Sequence, residues 1–167
     1  PPLTLAIGVG LCDAIRADRN GYSQTQGIPD LRERLQADLQ KEYGHDDRRV
    51  LVTSGTSGAL VLAMMALVDP GDEVIVFDPY FVMYPALVAM VGGKTVLIDT
   101  YPDFKIDLNK VKAAITPRTV AIYINAPNNP TGRVLPDRAL AEIAALAERH
   151  ALWIISDEAY EDIWFGD

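Results

Sequence analysis

The residues able to do chemistry in this sequence sit just after apolar runs. Asp157, in "SDEAY" (156–160), follows "ALWII", and Tyr160 comes three residues later. A carboxylate so placed can hydrogen-bond a protonated ring nitrogen. That bond keeps the ring cationic, and a cationic ring draws electrons from a neighbouring carbanion. The plainer alternative is a helix N-cap. "SGTSGA" (54–59) places the small residues Gly55, Thr56 and Ser57 where a helix begins. Free backbone N–H groups and the helix dipole there suit a phosphate, and an ordinary Ser/Thr cap remains the competing reading. The segment lacks the Lys of a Walker loop, so it does not read as a nucleoside-triphosphate site. Phe81, in "DPYF" (78–81), offers either a flat surface for an aromatic ligand or one more core side chain. "NAPNNPTG" (125–132) packs two prolines, two adjacent asparagines and a Thr-Gly between an apolar run and a helical pattern. A strand-to-helix connection needs fewer special residues than that.

Other chemistries find no support. "GVG" (8–10) lacks the third glycine of a dinucleotide fingerprint, because Asp13 occupies its place. His45 and His150 stand at helix ends with no partner spacing and read as surface residues. There is no HExxH, no GxSxG and no paired-cysteine metal site. Cys12 is the only cysteine, so an intrachain disulfide is impossible and a reducing, cytoplasmic setting fits best. A net charge of −8 argues against binding a phosphate backbone, and the pair Arg48-Arg49 is too short to reverse it. No apolar run reaches the length of a membrane span, and no signal-peptide pattern opens the chain.

The 167 residues are 49% hydrophobic and 23% charged, a globular composition with enough chain for a core. Residues 3 to 17 are ambiguous: Leu3, Leu5, Ile7, Val9 and Leu11 alternate like a strand, whereas Leu3, Ile7, Leu11 and Ile15 repeat like a helix. Leu31, Leu35, Leu39 and Tyr43 line one face of an amphipathic helix that Asp30 can cap and Gly44 ends. Strands are predicted at "RVLVTS", "EVIVF", "KTVLI", "RTVAIYI" and "ALWIIS". Helices are predicted at "GTSGALVLAMMALV", over 80–91, over "IDLNKVKAAI" with Asp107 as its cap, and over 136–149. Alternating strands and helices, with several strands apolar throughout, predict an α/β fold: a mostly parallel central sheet with helices on both faces. Ligands of such folds sit outside the carboxyl ends of the strands. The stretches singled out above follow predicted strands.

Taken together, "YSQTQGIPDLRERL" (22–35), "VTSGTSGAL" (52–60), "DPGDEVIVFDPYF" (69–81), "NAPNNPTG" and "SDEAYEDIWF" (156–165) resemble the large domain of the class I/II aminotransferases. These are the fold-type I enzymes that use pyridoxal 5'-phosphate. The stretches occur in the family's order over nearly the whole chain. The resemblance implies that residues 1–167 are part of one cofactor-binding large domain, with residues 1–20 a helix leading into it. It implies that Gly55, Thr56 and Ser57 bind the cofactor phosphate and that Phe81, where several members carry Trp, stacks on the ring. Asn129 and Tyr160 would bond the ring's 3' oxygen, Asp157 the ring nitrogen. Tyr22 would reach the phosphate in the other subunit of a homodimer. Asn129-Pro130 and Asp78-Pro79 match cis peptides of the family.

The implied substrates are an amino acid and a 2-oxo acid. A β-lyase or synthase on the same scaffold would share these contacts. An aminotransferase-like domain of a transcription regulator is a third reading. The chain opens on Pro1-Pro2 and stops at "WFGD", which reads as a fragment of a longer protein. The family's cofactor-bearing lysine is expected beyond Asp167, and Lys41, Lys94, Lys105, Lys110 and Lys112 match none of the family's catalytic positions. The chain alone is therefore expected to be inactive, with no catalytic residue of its own.

Overall fold

The structure is a computed structural model that describes residues 3–44 and 47–163. His45 and the residues from 164 onward lie outside them. The chain forms two compact units, Pro1–Thr53 and Ser54–Asp167.

In the first unit, α1 (Leu3–Arg16) settles the ambiguous segment as a helix, and it has no buried residue. The second helix, α2 (Pro29–Tyr43), starts differently from expectation. Its N-cap is Ile28 with Pro29 in the first turn, and Asp30 lies inside the helix, where no side chain caps it. A proline that presets φ and lacks an N–H begins a helix unaided. Gly44 ends α2 as expected, at φ 68°, with its N–H donating to Gln40 O. Residues 49–53 are not a strand, which corrects the reading of "RVLVTS". Apolar alternation needs a ladder partner to become a strand, and here Val52 N–H makes a bond to Gln26 O, at 3.0 Å. Gly27 (φ 102°) allows that approach, because a Cβ there would lie 2.6 Å from Val52 Cβ.

The second unit holds the sheet. Its elements run α3 (Gly55–Leu67), β1 (Glu73–Asp78), α4 (Met83–Met90), β2 (Lys94–Asp99), α5 (Leu108–Ala114), β3 (Thr119–Asn125), α6 (Asp137–His150) and β4 (Trp153–Asp157). The helix α4 is shorter than the 80–91 expected, because residues 79–82 form the loop that carries Phe81. Asp107 caps α5 as predicted, accepting from Asn109 N–H at 2.9 Å. His150 is exposed at the end of α6. All strand pairs are parallel, in the order β2-β1-β3-β4.

Parallel strands covered on both faces explain the unbroken apolar runs. Val74 and Val76 of β1, with Ala121 and Tyr123 of β3, join Leu60 and Met64 of α3 and Leu87 and Val88 of α4. Ile75, Ile122 and Ile124 belong to the opposite cluster, with Val111 of α5 and Ile143 and Leu146 of α6. The two central strands, β1 and β3, thus feed two cores by simple alternation. At the amino edge of the sheet, Glu73 is buried and fully engaged. Its carboxylate accepts from Thr116 Oγ1 (2.6 Å), Arg118 Nη2 (3.1 Å) and Lys94 Nζ (3.3 Å). Among the described residues no helix is long and apolar enough to cross a membrane.

Candidate functional site

The carboxyl ends of β3 and β4, with the segments that begin α3 and α4, enclose a cleft of about 150 Å³. Thr56, Ser57, Phe81, Asn129, Asp157 and Tyr160 all line it. Six residues chosen from four separate stretches therefore meet in one place. Gly55 opens α3 immediately before Thr56, at φ 68°. Tyr22 belongs to the other unit, where it is fully exposed.

Each side chain is placed by its own element. The start of α3 has no side-chain cap, so the Ser/Thr-cap reading of this segment does not hold. The first N–H groups of a helix have no intrahelical partner, and those of Thr56 and Ser57 fall in that turn. Phe81 is half-buried and meets the Tyr84 ring edge-on, with centroids 5.7 Å apart and planes at 74°. It packs against the core cluster and lines the cleft at once, so both of its readings apply.

Asp157 is the last residue of β4 and is 6% exposed. Its Oδ1 accepts from Ala159 N–H at 3.2 Å, and residues 159–162 form turns, not a helix, so the helix N-cap reading of Asp157 does not hold. Its Oδ2 accepts from the buried hydroxyl of Tyr84 at 2.8 Å. Burial first, then that bond and the Asp157 charge, hold the Tyr84 phenol far above its ordinary pKa, so it stays a donor. Tyr84 is itself fixed by stacking on Tyr123, at 4.1 Å and 26°.

The 125–132 loop is a network built on its asparagines. Asn125, the last residue of β3, donates through Nδ2 to Asp157 O (2.9 Å). Its Oδ1 accepts from Asn129 N–H (2.7 Å). One side chain thereby ties two strand ends together and sets the backbone of the residue that faces the cleft. Asn128 Oδ1 accepts from both the N–H and the hydroxyl of Thr131, at 3.2 and 2.7 Å, which closes the turn. Asn129 Nδ2 points to the Tyr160 hydroxyl at 3.4 Å. The peptides preceding Pro79 and Pro130 are cis, as expected, and so are those preceding Pro102 and Pro127.

Sequence reasoning missed Tyr84 and Asn125 as site residues. Tyr84 lies three residues past Phe81, but nothing local says that its hydroxyl meets a carboxylate 73 positions away. Asn125 was visible as the first residue of its motif, yet its partners follow from the register of β3 beside β4.

The model of the family described as aminotransferase class I and II matches residues 13–167. The chain belongs to the class I and II aminotransferases. An aspartate/prephenate aminotransferase of Thermus thermophilus is 42% identical over 156 residues, which is 91% of this chain and 40% of that protein. The chain thus spans about 40% of the length of the curated relatives it matches. Solved aminotransferases superpose closely. A double mutant of Thermus thermophilus aspartate aminotransferase gives a TM-score of 0.87 at 41% identity, over 93% of this chain and 42% of that one. N-succinyldiaminopimelate aminotransferase from Mycobacterium tuberculosis gives 0.86 at 39%, over 92% of this chain and 42% of that one. The parallel sheet with helices on both faces is the aminotransferase fold, in the part that this chain supplies.

Proposed function

We propose that the protein carrying this chain is a pyridoxal-phosphate-dependent aminotransferase, moving an amino group between an amino acid and a 2-oxo acid. The observation that carries the proposal is the meeting of Thr56, Phe81, Asn129, Asp157 and Tyr160 in one cleft. The donor set fits the cofactor. An uncapped helix start suits its phosphate, a buried carboxylate its ring nitrogen, and an aromatic ring its flat face. When bound, the cofactor supplies an electron sink for a carbanion next to the transferred nitrogen.

The residues of this chain do the holding. The backbone N–H groups of Gly55, Thr56 and Ser57 receive the phosphate. Asp157 holds a proton at the ring nitrogen, while Tyr84 and the Ala159 N–H keep its carboxylate in place. Asn129 Nδ2 and the Tyr160 hydroxyl donate to the ring's 3' oxygen, and Phe81 covers one ring face. Tyr22 serves the partner subunit of a homodimer. The whole chain acts as part of one cofactor-binding domain in a cytoplasmic enzyme.

The names of the relatives favour amino transfer over a β-lyase or a regulator. Those named for aspartate make a dicarboxylic amino acid the first substrate to try. No lysine lines the cleft among the described residues, so this chain by itself should hold the cofactor without a covalent link and without turnover. The test has two arms. The full-length protein should transaminate an amino acid with a 2-oxo acid in a pyridoxal-phosphate-dependent way. This chain alone, given the cofactor and borohydride, should show scattered, substoichiometric labelling of its lysines by peptide mapping. Absence of cofactor binding to the full-length protein refutes the reading. Stoichiometric labelling of one lysine here, with turnover, refutes its second half.

A further inference from the structure

Behind the cleft, Tyr84 and Asn125 also form walls of a second cavity, of about 40 Å³. Its lining is largely aromatic and aliphatic, but Tyr123, Asn128, Thr131 and Arg133 line it too. Tyr123 Oη and Arg133 Nε are buried with no hydrogen-bond partner among the described residues. Tyr123 as a whole is 2% exposed.

Both orphaned groups are donors. Burial, and then the charge of Asp157, hold the Tyr123 phenol well above its ordinary pKa, so it keeps its proton. An arginine Nε only donates. A phenol oxygen can also accept, but the two groups make no bond to each other here, so both protons lack an acceptor. Three of the side-chain oxygens around the cavity are already engaged. Asn125 Oδ1 accepts from Asn129 N–H at 2.7 Å. Asn128 Oδ1 accepts twice from Thr131, and Thr131 Oγ1 accepts from Arg133 N–H at 3.2 Å. Leaving two buried donors unmet is costly, and the cavity is the place where a small acceptor can reach them.

We infer that this cavity is an internal hydration site, in which one water accepts from both Arg133 Nε and Tyr123 Oη. A water needs roughly 10–15 Å³ of such space, so the cavity has room for about three. The site also bears on the cleft. Tyr123 stacks on Tyr84, and Tyr84 holds Asp157, so the hydrated chamber stiffens the back wall of the carboxylate. The inference stands whatever the cleft binds.

The test uses the full-length protein. A crystal structure should show ordered water within hydrogen-bond reach of Tyr123 Oη and Arg133 Nε together. In thermal unfolding, Tyr123→Phe and Arg133→Leu should each lower the midpoint by a few degrees. Combined, they should cost less than the sum of the two, because both surrender the same bridge. Tyr123→Phe keeps the ring stack, so it should fold. A dry cavity holding an orphaned hydroxyl predicts the opposite sign, since removing that hydroxyl then raises the midpoint. A raised midpoint, strictly additive losses, an empty cavity or an anion in the density each overturns the inference.

Discussion

Two buried carboxylates mark the two ends of the sheet, and they are treated in opposite ways. Glu73, at the amino edge, is surrounded by a hydroxyl and two cations. The Thr116 bond first, then those of Arg118 and Lys94, bring its pKa down to about 2 against the burial that would raise it. Asp157, at the carboxyl edge, has a tyrosine hydroxyl and one backbone N–H, and no cationic partner among the described residues. It lines an open cleft. A carboxylate already paired with cations of its own chain is a clasp. One held in place but left without a cation can still take a cationic partner from outside. The difference separates structure from function more sharply than residue type or burial does, since both side chains are acidic and almost inaccessible.

The contrast predicts which property each substitution moves. In the full-length protein, Asp157→Asn should lower amino transfer by about a hundredfold or more, with the far-UV spectrum unchanged. Unfolding of that variant would make Asp157 a clasp like Glu73 and erase the contrast. Tyr84→Phe leaves the carboxylate in the cleft without its hydroxyl donor. A loss of roughly tenfold in cofactor affinity is expected, the worth of one hydrogen bond to a charged group. Cofactor titration by absorbance measures it, and an unchanged affinity would show that Tyr84 only packs.

Glu73→Gln should leave cofactor affinity intact and lower the unfolding midpoint. The sign with pH follows from its depressed folded pKa. Its contribution is complete above the ordinary glutamate value near 4.5 and fades as pH falls toward about 2. The gap between wild type and Glu73→Gln should therefore be widest near neutrality and close in that acid window. Urea titrations at several pH values check this, and a gap that persists below pH 2 would mean the loss was one of packing. The smallest effect belongs to a site at neither edge. Asp107→Ala removes the cap of α5 and should cost about 1 kcal/mol, read by denaturant unfolding, with no change at the cleft.

Much of this protein is local, and the sequence by itself determined it. Val74 to Val76 and Ala121 to Ile124 are apolar on every position because a covered parallel strand has two buried faces. Asp107, Gly44 and the Thr131-Gly132 turn act within a few residues of themselves, so their roles could be read from neighbours alone. The stretches that follow β1, β3 and β4 pointed to the cleft because a parallel sheet sends all its carboxyl ends to one edge. Tertiary structure decided the rest. "RVLVTS" has strand composition, but a ladder needs a partner, and periodicity carries no information about one. Nothing near Tyr84 announces Asp157, and nothing near Glu73 announces Thr116 and Arg118, because those pairs span 73, 43 and 45 positions. Such contacts depend on which strands lie side by side and in what register. That is a property of the whole sheet, set when its two cores close.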